Sequence, residues 1–244
     1  MLKNQSYKSI RNRNLKKLGL LGGMSWESTQ TYYQLINQGV NRQLGGLHSA
    51  EIILYSVDFA AIEKLQVAGE WEESGQLLAR SAQRIQAAGA DCVLICTNTM
   101  HKVASQVELS INIPLLHIAD ATAEVLVREG MKKVGLLGTA FTMEQDFYRE
   151  RIQSKYGVAV IVPERSDRKK VHSIIFDELC KGDLREDSKK EYLRIIQSLS
   201  DRGAEAVILG CTEIGLLVTQ DDIEVTLLDT TQIHAAKAVE FALS

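Results

Sequence analysis

Proline is nearly missing from this chain, with two in 244 residues, and aromatics supply only 6% of it. So little proline excludes a Pro-rich linker, and few long loops are expected. Apolar residues still make up 45%, which suits a globular core in one large domain or two small ones and excludes disordered and collagen-like classes. No stretch approaches the roughly 18 uninterrupted apolar residues of a membrane span. The N-terminal "MLKNQSYKSIRNRNLKK" is basic but lacks the apolar segment of a signal peptide. A cytoplasmic protein with no membrane partner is expected. That leader lacks acidic residues altogether, whereas residues 18–244 carry 22 basic against 31 acidic side chains. A body so charged repels a phosphate backbone, so nucleic acid is not expected as a partner, and residues 1–16 read as a basic tail.

Cysteine is scarce too, at Cys92, Cys96, Cys180 and Cys211, with no C-x-x-C and no H-E-x-x-H. In a reducing compartment these are candidates for packing, metal or catalysis rather than for disulfides. Cys92 and Cys96 lie four apart in a strand-like run, which puts their sulfurs about 13 Å apart on one face, too far for a bond. His48, His117, His172 and His234 show no metal spacing, and no zinc site is expected.

Short apolar runs alternate with amphipathic stretches: 18–22, 51–57, 92–96, 113–118, 133–138, 158–162, 206–210 and 225–229 read as strands. Strand and helix in alternation imply parallel sheets with helical crossovers. The runs also repeat. "KKLGLLGGMS" (16–25) is echoed by "KKVGLLGTAF" (132–141), and "AGADCVLICTNT" (88–99) by "RGAEAVILGCTE" (202–213). Gly19 to Cys96 spans 77 residues and Gly135 to Cys211 spans 76. Such echoes in one order predict two α/β halves related by a pseudo-twofold axis. The expected units are 17–116 and 117–225, with 226–244 packing on the first.

In parallel α/β sheets, ligands bind beyond the carboxyl ends of the strands. Cys96 and Cys211 both end such runs, so the duplication predicts two thiols on opposite walls of one cleft. One can take a proton from one face of a carbon while the other returns a proton to the opposite face. "TNT" after Cys96 reads as a carboxylate cradle, capped by Asn98 or Thr99, with Thr212 capping the segment after Cys211. Cys92 and Cys180 read as small packing residues. "GLLGGMSWES" lacks the G-x-G-x-x-G spacing of a dinucleotide site, so NAD is not implied. His101, five residues past Cys96, is either a thiol-orienting group or a packed histidine, and "RSDRKK" (165–170) could offer Lys170 to an anionic substrate or be simply a solvated loop.

At "GLLGGMSWEST", "CTNTMHK", "LLGTAFTM", "IIFDEL" and "GCTEIGLL" the sequence resembles the aspartate/glutamate racemase family across residues 17–244, and in particular its broad-specificity amino-acid racemase branch. The resemblance implies two Rossmann-like domains with the active site in the interdomain cleft, a homodimer, an amino-acid substrate, and racemisation without pyridoxal phosphate, metal or nucleotide. It implies Cys96 and Cys211 as the acid/base pair, Cys96 acting on the D-enantiomer and Cys211 on the L-enantiomer. Met24, Thr97, Asn98, Thr99, Thr139, Thr212 and Glu213 would hold the substrate amino and carboxylate groups, and Gln66 and Lys170 its side-chain end. Aspartate-specific members carry an arginine after the second strand, where "SVDFAAIEKLQ" has none. Glutamate racemases open on Asp-Ser-Gly and follow the second cysteine motif with histidine, where this chain has "GGMS" and Glu213. The alternatives are an aspartate-specific racemase, a maleate-isomerase-like enzyme, and a non-catalytic small-molecule-binding module.

Overall fold

Seven of the apolar runs form parallel strands, and they fall into two sheets. The computed structural model describes residues 15–244; of the expected basic tail, 1–14 lie outside the described residues. The strands are β1 (Leu18–Gly22), β2 (Ile52–Ser56), β3 (Cys92–Ile95), β4 (Lys133–Gly138), β5 (Ala159–Ile161), β6 (Ala206–Gly210) and β7 (Thr226–Asp229). The first sheet has the order β2-β1-β3 and the second β5-β4-β6-β7. The helices are α1 (Trp26–Leu44), α2 (Phe59–Ala68), α3 (Trp71–Ala87), α4 (Ala104–Ser110), α5 (Ile118–Arg128), α6 (Ala140–Glu144), α7 (Asp146–Tyr156), α8 (Arg165–Asp177), α9 (Glu186–Asp201), α10 (Ile214–Leu217) and α11 (Thr230–Leu243). None of the described helices is long and apolar enough to cross a membrane.

The repeated glycine of the "GLLG" runs has a packing cause. A Cβ at Gly19 would stand 2.2 Å from Ile85 Cγ2 of α3, and one at Gly135 would stand 2.9 Å from Leu199 Cδ1 of α9. Each half thus presses a helix onto its central strand at the same place. α9 buries Ser188, Tyr192, Ile195, Ile196 and Leu199, the three-and-four spacing of a one-sided helix. Each large side chain so buried contributes roughly 1.5–3 kcal/mol relative to exposure.

Two expectations need correcting. Residues 113–118 are not a strand: Val93 meets Leu115 in a single bridge, with Val93 N donating to Pro114 O and Leu116 N to Val93 O. The chain then leaves the first sheet, and Ile118 is already in the core of the second half with Val134 and Ile208. The expectation for 226–244 divides as well. Thr226–Asp229 pairs with β6 in the second sheet, whereas Ala235, Ala238, Val239 and Ala242 of α11 pack with Leu18, Tyr32 and Ile36 of the first half. The chain therefore crosses between the halves at 116–118 and again at 229–230.

Candidate active site

The strand ends of both sheets meet around one cavity of about 50 Å³. From the first half, Met24 and Ser25 reach it from the loop after β1, Gln66 from α2, and Thr97, Asn98 and Thr99 from the turn after β3. From the second come Thr139 after β4, and Cys211, Thr212 and Glu213 after β6. Contacts join the two walls directly. Ser25 Oγ donates to Glu213 Oε1 at 3.2 Å, Thr99 Oγ1 lies 3.2 Å from Thr139 Oγ1, and Asn98 Nδ2 donates to Thr230 Oγ1 at 3.0 Å. A larger open groove, about 590 Å³, lies against α5 and α11. It holds no cysteine, and its Lys237 and Glu124 are paired with each other at 2.6 Å, so the smaller cavity is the candidate site.

Local sequence fixes both walls. Ser25 caps α1 by accepting from Ser28 N at 3.2 Å, and Ser28 Oγ donates to Cys96 O at 2.9 Å, which ties the first glycine loop to the end of β3. Thr139 caps α6 through Thr142 N at 3.3 Å. The expected side-chain caps at Asn98, Thr99 and Thr212 do not form: Asn98 precedes a 3-10 turn (Thr99–Val103) without a capping bond, and Glu213 stands at the N-cap of α10. Asn98 is freed for the cavity. Thr230 Oγ1 donates to Leu209 O at 2.9 Å, so it can only accept from Asn98, which fixes the amide orientation. Asn98 Oδ1 is then buried without a partner among the described residues.

Cys211 lines the cavity with its Sγ 2.9 Å from Glu213 Oε2, to which Thr212 Oγ1 also donates at 2.6 Å. Burial pushes this thiol well above its usual range, and the neighbouring Glu213 carboxylate pushes it further. The resting pair is thus a protonated thiol donating to a carboxylate.

Cys96 is not part of this cavity, which corrects the two-thiol expectation. Its side chain is fully buried on the other face of the sheet, among Leu20, Tyr32, Ile36 and Ala235, and its Sγ has only Leu94 O at 3.9 Å. Burial alone holds its thiol protonated. The reason is the pleat: alternate residues share a face, so Cys96 points where Cys92 points, and Cys92 lies in the same core cluster. The sheet register identifies the true counterpart of Cys211. Gly19 pairs with Val93 and Gly135 with Val207, so counting on from those partners matches Cys96 with Gly210, and Thr97 with Cys211.

Lys170 is also misplaced by the sequence reading. Val171, Ile174 and Ile175 turn α8 inward, leaving Lys170 exposed and paired with Glu191 at 3.1 Å. His101 does not touch a thiol; its Nδ1 lies 2.8 Å from Thr97 O. Cys180, read as a packing residue, instead lines the cavity, as do Phe59, Ile175 and Phe176. Ile175 and Phe176 fall within the "IIFDEL" motif, which by itself singles out neither, and Phe59 and Cys180 carried no sequence signal, because the facing of their helical segments is set by packing. Among the described residues no three His, Cys, Asp or Glu side chains converge as a metal-binding set.

The chain is similar to known proteins in both sequence and fold. Residues 21–238 match the family described as Asp/Glu/Hydantoin racemase. The chain is 18% identical to the broad specificity amino-acid racemase RacX of Bacillus subtilis (strain 168), over 93% of this chain and 98% of that protein. Among crystal structures, a Yersinia pestis protein provisionally named an Asp/Glu racemase is 53% identical with a TM-score of 0.90, covering 94% of this chain and 100% of that one. An aspartate racemase homologue from Pyrococcus horikoshii OT3 is 35% identical with a TM-score of 0.82, covering 94% and 100%.

Proposed function

From the premise that this chain belongs to the Asp/Glu/hydantoin racemase family, and is therefore a racemase, we infer that it inverts amino acids by proton transfer across the cavity, with Cys211 on one wall and the Thr97 hydroxyl on the other. The observation that carries this reading is the register: the residue at Cys211's position in the first half is Thr97, while Cys96 faces the core.

The α-ammonium of the substrate finds the Glu213 carboxylate and the unpartnered Asn98 Oδ1. Its carboxylate finds the hydroxyls of Thr99, Thr139 and Thr212. With an ammonium beside it, Glu213 no longer penalises a thiolate so heavily, and its Oε2, 2.9 Å from Cys211 Sγ, can take the thiol proton. The thiolate then removes the α-proton of the L-enantiomer, forming S–H as the C–H bond breaks. Thr97 delivers its hydroxyl proton to the opposite face, and the proton that Glu213 took from the thiol passes through solvent to the Thr97 oxygen when the cavity opens, which restores carboxylate, thiol and hydroxyl together. An α-amino acid is a weak carbon acid, so preorganised donors in a closed cavity must supply much of the barrier reduction.

Opening is required, since about 50 Å³ holds one or two waters and not an amino acid. The side-chain end, formed by Phe59, Gln66, Ile175 and Phe176, makes no demand for one particular charged group, which supports broad specificity over aspartate alone. No pyridoxal phosphate, metal or nucleotide enters the scheme, and the chain is proposed to act as a homodimer.

The test is deuterium uptake at the α-carbon in D₂O across a panel of L-amino acids. Cys211→Ala and Thr97→Val are each expected to lower exchange-coupled racemisation by roughly a hundredfold or more, while Cys96→Ala stays within about threefold of wild type. A Cys96→Ala variant as inactive as Cys211→Ala would return the mechanism to two thiols. A wild-type protein that exchanges no amino acid would end the racemase reading.

A further inference from the structure

Three buried histidines, His101, His117 and His234, are 3%, 5% and 0% exposed and lie together behind the Thr97 turn. The His101 ring centroid is 4.5 Å from that of His117 and 5.9 Å from that of His234. None lines the cavity, and the proton transfer uses none of them.

Their partners are almost all backbone groups, and these fix the tautomers. Ile118 N–H donates to His101 Nε2 at 3.2 Å, so the His101 proton is on Nδ1, where it is donated to Thr97 O at 2.8 Å. Ala119 N–H donates to His117 Nδ1 at 3.1 Å. His234 Nε2 donates to Leu116 O at 2.7 Å while its Nδ1 accepts from Tyr32 Oη at 2.9 Å. The atoms held are those of the chain crossing itself: Leu116 O, Ile118 N and Ala119 N. His234 sits one turn into α11, just past the second crossing. The cluster therefore fastens both crossings to the loop that carries the first-half wall.

We infer that His101 is a positioning residue: its ring ties the Thr97 carbonyl to the Ile118 amide, so that the wall opposite Cys211 and the crossing between the halves move as one body. Opening the cavity must bend the chain at 116–118 and 229–230, the two places where it passes between the halves. A rigid link from Ile118 through the imidazole to Thr97 returns the Thr97 side chain to one position at every closure. An error of even about 1 Å in such a group costs on the order of a hundredfold in rate.

The coupling is tested first without reference to turnover, by amide hydrogen exchange on the full-length protein. In His101→Ala, exchange is expected to rise together in peptides covering 97–104 and 116–120, roughly tenfold or more, with 206–213 unchanged. His101→Asn, whose amide can donate from near the Nδ1 position, is expected to keep 97–104 protected while releasing 116–120. His101→Gln, whose carbonyl can reach the Nε2 position, is expected to do the reverse. Protection lost in only one segment of His101→Ala, or lost equally everywhere, overturns the link; if His101→Ala does not fold, the Asn and Gln variants decide the question alone. The kinetic arm rests on the racemase reading. There His101→Ala, His101→Asn and His101→Gln, each of which breaks the link at one end or both, are expected to lower kcat by roughly thirtyfold with KM within about threefold. Wild-type kcat in the Asn or Gln variant overturns the positioning role and leaves the racemase reading intact.

Discussion

Cys96 and Cys211 carry the same thiol and differ in what lies beside it. Around Cys96 are Leu20, Tyr32 and Ile36, which offer a sulfur nothing to give a proton to. Beside Cys211 is a carboxylate at 2.9 Å. That carboxylate raises the thiol pKa, so Glu213→Gln is expected to lower it. Iodoacetamide labelling of the Cys211 peptide, followed by mass spectrometry against pH, should show its midpoint move to lower pH in the variant. Racemisation should nevertheless fall, because the substrate ammonium loses its counter-ion and the thiol loses its proton acceptor. The assignment of Thr97 was within reach of the sequence. "AGADCVLICTNT" and "RGAEAVILGCTE" align without a gap with Cys96 opposite Gly210 and Thr97 opposite Cys211. Matching cysteine to cysteine slides that echo by one residue, and in a strand one residue reverses the face.

Among the elements, α11 does most to join the halves. Asp229 accepts from Thr231 N at 2.8 Å and Gln232 N at 3.1 Å, so the helix starts directly from the last strand of the second sheet and packs on the first half. Thr230, fully buried, donates to Leu209 O and accepts from Asn98 Nδ2. Thr230→Val keeps the shape and leaves both partners unsatisfied. The expected result is a loss of about 1–3 kcal/mol in denaturant unfolding, together with a raised KM as Asn98 loses its fixed orientation. Wild-type KM in a destabilised Thr230→Val protein would show that Asn98 does not hold substrate. The position of α11 was visible in the sequence only as a direction of packing. That its preceding strand belongs to the other sheet depends on pairing between residues far apart in the chain.

For the whole molecule, three histidines kept neutral in the interior make stability depend on pH. Burial, with the positive charges of Arg151 and Lys155 nearby, lowers the pKa of His117 to about 2, and burial lowers that of His234 to about 4. His101 is lowered too, by burial and by its two neighbouring histidines. A depressed histidine pKa means that the unfolded chain takes up protons below about pH 6.5 while the native state does not. Stability is therefore full above pH 6.5 and falls as pH drops through that value, by up to about 1.4 kcal/mol per pH unit for each histidine. Asp120, held below the usual carboxylate range by its bonds to Arg151 and Lys155, adds its loss only at lower pH. Urea midpoints at pH 7.5 and 5.0 are expected to differ markedly in the wild type. In His117→Asn, where an amide can still cap α5, the difference should shrink; an unchanged difference would remove His117 from the explanation.

The sequence by itself determined the alternation of strands and helices, the duplication and the strand-end location of the candidate site, because hydrophobic period and turn chemistry are local and leave their mark along the chain; Met24, Gln66, Thr139 and Glu213 came only with the family resemblance. Tertiary structure alone decided that Lys170 of α8 points to Glu191, and that Cys180 and Phe176 reach the site. It also decided that three histidines scattered from 101 to 234 share one pocket. Those outcomes depend on strand register and helix facing, which are fixed only when two halves bury their surfaces against each other.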